Sequence, residues 1–164
     1  MKFKVLLIMR KQFIYWLFMH SQKVYIKYKK KKAWNVSKKE LLNYPKHTFG
    51  FALGDFLQKN NYTLLPKVER HDAYHILTGY GTKVEDEVAL QYLCFGNGKR
   101  SPYLLGVLLL GTILLPDYLP YFIKSYKLGK NCNQFHHFNF KNLLEYSFDE
   151  LRSIIFTKSQ ILNI

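Results

Sequence analysis

Helix-start signals recur along this chain and strand signals do not, and that contrast limits the fold more than any other feature. Ser37-x-x-Glu40, Thr82-x-x-Glu85 and Ser147-x-x-Glu150 each have the form of a capping box. In that motif the hydroxyl accepts from the amide three residues on, and the glutamate reaches back to the cap's own amide. Each signal leads into helical spacing: Leu41, Leu42 and Tyr44; then Val84, Val88, Ala89 and Tyr92; then Leu151, Ile154 and Ile155. Between them, Phe49, Leu53, Phe56 and Leu57 share one face of 49–58. No run of six or more residues alternates apolar and polar, and no Asn-Gly turn joins two such runs. The expectation is an all-α fold, a single-domain helical bundle. At 164 residues the chain can bury a core without staples.

Composition qualifies that expectation at one end. The formal charge of +14 is divided unevenly. Residues 1–50 hold 13 Lys/Arg against one acid, Glu40, whereas residues 51–164 hold 12 against 10. The surplus of Lys, Asn, Phe, Tyr and Ile also matches what an A/T-rich coding sequence supplies. A basic, aromatic-rich segment, 1–36, is therefore set apart from a helical domain, 37–164, with a soft boundary near Ser37. Phe3 to Phe18 reads as an amphipathic helix, closed by the basic run from Lys27 to Lys32. It either packs along the bundle or lies on a membrane with aromatics inserted and lysines on anionic headgroups. Nucleic acid is not an expected partner.

Only Cys94 and Cys132 occur, with no C-x-x-C pair, which points to a reducing, cytoplasmic setting. Lys2, Lys4, Arg10 and Lys11 interrupt any signal-peptide core. The uncharged run Leu104–Leu115 ends at Pro116, Asp117 and Pro120, short of the roughly 20 residues a membrane span needs. It is expected to be a buried or tunnel-lining helix. No Gly-rich phosphate loop, nucleophile elbow or Rossmann fingerprint is present.

The chemistry concentrates in His71, Asp72, His75 and Glu87, the pattern H-D-x-x-H-x(11)-E. On a helix over 67–78 the two histidines stand one turn apart and about 40° apart around the axis, with Asp72 about 60° from His75. Gly79 suits a left-handed helix end, Gly81 the turn, and Thr82 the cap of the next helix. His75 lies roughly 6 Å before Gly79 along one axis and Glu87 roughly 7.5 Å after Thr82 along the other. In a metal-binding helix hairpin, Glu87 then comes level with His75. Two nitrogens with two carboxylates suit Zn²⁺, and the His₂-carboxylate subset suits Fe²⁺ or Mn²⁺. The competing reading is that these residues cap the hairpin and pair locally, Asp72 with Arg70 or Lys67. His136-His137 and Cys132-x-x-x-His136 lack a second ligand pair, and Glu85 with Asp86 reads as an acidic first turn complementing the helix dipole.

At these residues the sequence resembles a known family, the fourth coenzyme Q (ubiquinone) biosynthesis protein. The motif is followed by Ala89-Leu90 and embeds Leu77-Thr78-Gly79-Tyr80-Gly81-Thr82. Tyr44-Pro45, Thr48-Phe49-Gly50, Leu143-Leu144 and Asp149-Glu150-Leu151-Arg152 extend the likeness over residues 41–157. Asp86 stands where the family favours glycine, and Phe140 where it favours tryptophan. The resemblance implies an all-helical fold, a divalent metal at His71, Asp72, His75 and Glu87, and a pocket for a polyprenyl chain. It also implies head-group processing, by oxidative removal of the ring carboxylate, and organisation of other quinone-biosynthesis proteins at the inner face of a membrane.

Two functional readings stand open. One is a metal-dependent lyase or oxidative decarboxylase of a polyprenylated quinone precursor, with those four residues catalytic. The other is a scaffold, alone or as a homodimer, that holds an isoprenoid lipid and catalyses nothing. Leu104 to Leu115, with Tyr103, Tyr118 and Tyr121, is the candidate wall for an isoprenoid tail, or else ordinary core. A His-Asp phosphohydrolase would need a further upstream His and a distant Asp, and no persuasive pair is present.

Overall fold

The computed structural model describes residues 2–161, with side chains from Lys4 onward. Met1 and residues 162–164, the outer ends of the two segments read from the sequence, lie outside the described residues, as do the side chains of Lys2 and Phe3. The helices are α1 (Lys2–Tyr28), α2 (Lys38–Leu42), α3 (Phe49–Lys59), α4 (Glu69–Thr78), α5 (Val84–Gly96), α6 (Pro102–Leu114), α7 (Leu119–Asn131), α8 (Phe148–Ile155) and α9 (Lys158–Ile161). Short 3-10 turns cover Pro116–Tyr118 and Phe140–Leu143. Among the described residues there is no strand, only an isolated bridge between Thr48 and Ser147. The fold class is all-α, as the sequence pattern required.

Contacts divide the chain into two compact units. One takes the chain up to Tyr28 together with Tyr80–His136; the other takes Lys29–Gly79 and the chain from His137 on.

The first unit is organised by α5 against α7. Val88, Ala89, Leu90, Leu93 and Cys94 on α5 are fully buried, and Tyr92 stacks on Phe122 of α7 at 5.2 Å. The two backbones approach so closely that a Cβ on Gly129 would meet the Leu93 carbonyl oxygen at 2.0 Å, and one on Gly96 that of Tyr126 at 2.2 Å. Buried Asn97 then knits the far end together. Its amide donates to the carbonyls of Gly129 and Asn133, and its Oδ1 accepts from the amides of Phe135 and His136. Burial pushes the Cys94 thiol up to about 11, so it packs as a neutral hydrophobe.

Helix α1 runs well past the expected Phe3–Phe18 and is not amphipathic in the expected sense. Of its described side chains only Ile14 is buried. Arg10 turns inward to Asp117 at 2.8 Å, and Lys11 to Glu85 at 2.9 Å and the Tyr118 hydroxyl at 2.7 Å. Leu7 and Phe18 pack beside Ile14, and the other large apolar residues from Val5 to Met19 lie mostly on the outward side. Helix α6 is split more regularly, with Leu104, Val107, Leu108 and Gly111 buried and Leu105, Leu109, Leu110 and Ile113 exposed. Leu115 and Pro116 end it, and α7 leaves at 101°. No single helix among the described residues is long and apolar enough to cross a membrane.

In the second unit, α2 opens on the complete capping box at Ser37. Phe49, Leu53 and Leu57 of α3 are fully buried, joined by Leu151 and Ile155 of α8, whereas Ile154 faces solvent. The start of α3 is tied to the segment before α8 by backbone bonds, Phe49 to Tyr146 and Gly50 to Leu144, both 2.8 Å. Phe140 fills the space between them, against Phe49 at 5.8 Å and edge-on to Tyr74 of α4 at 5.7 Å. Phe140 therefore supports the helix that carries the histidines.

Candidate metal-binding site

Helix α4 begins at Glu69, two residues later than the spacing suggested, because Lys67 adopts a left-handed φ of 71° and Val68 becomes the cap. It ends as expected. Gly79 takes φ 72°, and its N–H donates to the His75 carbonyl at 2.8 Å. No Cβ penalty attaches to glycine there, so the C-terminus sits one turn after His75.

Several contacts hold the orientation of α4 in its own unit. Buried Glu69 accepts from the Trp34 amide at 2.8 Å. Arg152 of α8 donates to the Leu77 carbonyl at 3.2 Å. The His75 ring is only 2% exposed and stacks on Phe56 of α3 at 5.8 Å with 14° between the planes. His71 meets His75 edge-on, the ring centres 4.7 Å apart. Asp72 lies at the edge of the pair, its Oδ1 3.9 Å from His71 Nδ1. That is too far for a hydrogen bond. Sequence reasoning placed the three residues on this helix; it missed Phe56 as the plate beneath His75, naming it only as part of an apolar face.

Glu87 stands on the first turn of α5, in the other unit. The Thr82 capping box does not form. The N-cap is Lys83, without a side-chain bond, because Glu85 is drawn to Lys11 instead of back to residue 82. Asp86 accepts from the Tyr121 hydroxyl at 3.0 Å, and Tyr121 stacks on Tyr80, whose own hydroxyl donates to Ser125. Burial pushes the Tyr80 phenol up to about 12 and, aided by the Asp86 charge, raises Tyr121 as well. The acids beside Glu87 are thus engaged within their own unit, more specifically than an acidic first turn would require. Tyr121 and Tyr118, expected along a lipid tail, act here as partners of Asp86 and Lys11.

A cleft of about 500 Å³ lies in the second unit, lined by Tyr44, Pro45, Thr48 and neighbours from Glu40 to Glu145. None of the four candidate ligands lines it, nor does any residue of Leu104–Leu115.

Residues 62–159, more than half of the chain, match the model of one family, the coenzyme Q (ubiquinone) biosynthesis protein Coq4. The chain belongs to the Coq4 family. Its place is therefore in ubiquinone biosynthesis, and all four candidate ligands fall inside the matched span, as α1 does not. Among curated proteins, none matches the chain.

Proposed function

We propose that this Coq4-family chain is a metal-dependent protein acting on the head group of a polyprenylated quinone precursor, with His71, His75 and Glu87 holding one divalent cation. The observation that carries the reading is the donor set. Each of the three offers a ligand atom of a kind that binds such ions: the two imidazoles meet on one face of α4, ring centres 4.7 Å apart, and Glu87 follows at the spacing of the motif. Two imidazoles and a carboxylate fit Zn²⁺ first, Fe²⁺ or Mn²⁺ next. Three protein ligands leave a position for substrate. Asp72 then serves as a fourth, weaker ligand or as the carboxylate that orients His71.

A bound cation would supply Lewis acidity toward a ring phenolate or carboxylate, and one-electron chemistry if it were iron. The chain's own residues do the rest. Phe56 fixes the plane of the His75 ring, the burial of that ring excludes water, and Gly79 fixes where α4 ends. The reaction class proposed is oxidative removal of the ring carboxylate, with dioxygen and a two-electron reductant as co-reactants. The bond from ring carbon to carboxylate breaks, CO₂ leaves, one oxygen atom becomes the ring hydroxyl and the other leaves as water. This is chemistry that iron or manganese would support and zinc would not. The polyprenyl tail of such a substrate dissolves in a bilayer, so the work is placed at a membrane surface, next to other enzymes of the same route.

The second reading, a prenyl-lipid scaffold in which the metal only braces the helices, is separated by His75→Ala. In cells that depend on this chain for ubiquinone, the catalytic reading expects a folded, metal-poor variant that makes no ubiquinone. Ubiquinone yield that instead follows the loss of thermal stability, and returns when the variant is stabilised at low temperature, would establish the scaffold and reject catalysis.

A further inference from the structure

Helix α1 is apolar on two sides, one packed on the core and one exposed. Its inward row runs Leu7, Arg10, Lys11, Ile14, Phe18 and Ser21, spaced three and four residues apart, with both cations engaged by acids of the same unit. Its outward side carries Val5, Ile8, Met9, Phe13, Trp16 and Met19, each between 42% and 60% exposed. A helix that is apolar on the side facing water lacks a cover, and a patch of this kind marks a partner or a bilayer.

Charge decides between those. Beyond Met19 the outward row continues as His20, Lys23 and Lys27, all exposed, flanked by exposed Val24 and Tyr28. Against them the first 50 residues hold a single acid, Glu40. Laid face to face, two parallel copies would set lysine against lysine, and two antiparallel copies would offer the lysines no acid, since the exposed row from Val5 to Met19 has none. Anionic headgroups instead gain from each lysine near the surface, and Trp16 and Tyr15 are amphipathic rings suited to the boundary between headgroup and acyl chain.

We propose that the outward face of α1 docks this protein onto an anionic lipid bilayer, with Val5 to Met19 in the acyl boundary and Lys23 and Lys27 on headgroup phosphates. This deepens the reading above by naming where the membrane is met, and it rests on residues outside the span that matches the family.

Vesicle flotation of the full chain tests it, with phosphatidylcholine alone and with about a third of the lipid replaced by phosphatidylglycerol. Binding is expected at least tenfold tighter to the anionic vesicles and to weaken with salt. Lys23→Glu/Lys27→Glu should weaken it by about thirtyfold or more. Phe13→Ser/Trp16→Ser should weaken it at least tenfold. In a Trp34→Phe chain, where Trp16 is the sole tryptophan, emission should shift to the blue on anionic vesicles only. Equal binding to both vesicle types, an unshifted Trp16, or a dimer abolished by Phe13→Ser/Trp16→Ser would each overturn the proposal. Metal content should not change in any of these variants. A chain that floats with vesicles yet holds no metal removes the metal reading and leaves this one standing.

Discussion

Lys11 shows how one side chain can decide the form of a distant helix start. It bridges Glu85 and the Tyr118 hydroxyl, both half-buried or more, so Lys11→Met leaves a carboxylate without its charge partner. The expected cost is about 2 kcal/mol in urea unfolding, larger than an exposed ion pair would give. Burial, the largest single influence, draws the Lys11 pKa down, but the hydrogen bonds to Tyr118 and Glu85 and the Glu85 charge together raise it above 10.5. Its contribution is therefore complete below pH 10.5 and disappears as pH rises through the folded value. Tyr80 behaves likewise. Its phenol, raised to about 12 from 10.0, lends stability that is complete below pH 10 and is lost as pH climbs toward 12. An alkaline absorbance titration should place one phenolate near 12, missing in Tyr80→Phe. A phenolate lost near 10 in that comparison contradicts the burial of the ring.

At the level of elements, signals resting on neighbouring residues were legible and those overridden by distant ones were not. Gly79 could be read as the end of α4 because a left-handed turn needs glycine whatever surrounds it. Ser37 could be read as a cap because both halves of its box lie within three residues. Thr82 failed because Lys11, 74 positions away, competes for Glu85, and Ser147 formed only half its box, accepting from the Glu150 amide at 3.4 Å. Ser37→Ala should thus cost about 1 kcal/mol, while Thr82→Ala should stay within about 0.5 kcal/mol. Equal costs would contradict the cap assignment. The α5–α7 crossing was illegible for the same reason, since nothing local marks Gly96 and Gly129 as a meeting point. Gly129→Ala forces a methyl into the Leu93 carbonyl and is expected to cost about 3 kcal/mol, lowering Tm by about 10 °C. A change under 2 °C would mean that the two helices separate easily.

Across the whole molecule, chemistry and charge occupy different stretches of the chain. The candidate ligands lie within His71 to Glu87, while nearly all of the net positive charge lies in the first 50 residues. The metal motif was legible because it needs only residue types at fixed spacing. The apolar outward face of α1 was legible only as one of two alternatives, because a helix rich in both lysine and aromatics gives no sign of which side it turns in. Everything said about catalysis depends on a cation held by His71, His75 and Glu87, so metal stoichiometry is the decisive quantity. Elemental analysis of the purified full chain, beside His75→Ala and Glu87→Gln variants with unchanged circular dichroism, measures it directly. The account predicts about one zinc, iron or manganese per chain and a loss of most of it in both variants. A chain that carries no stoichiometric divalent metal, or one whose metal survives both substitutions, contradicts it.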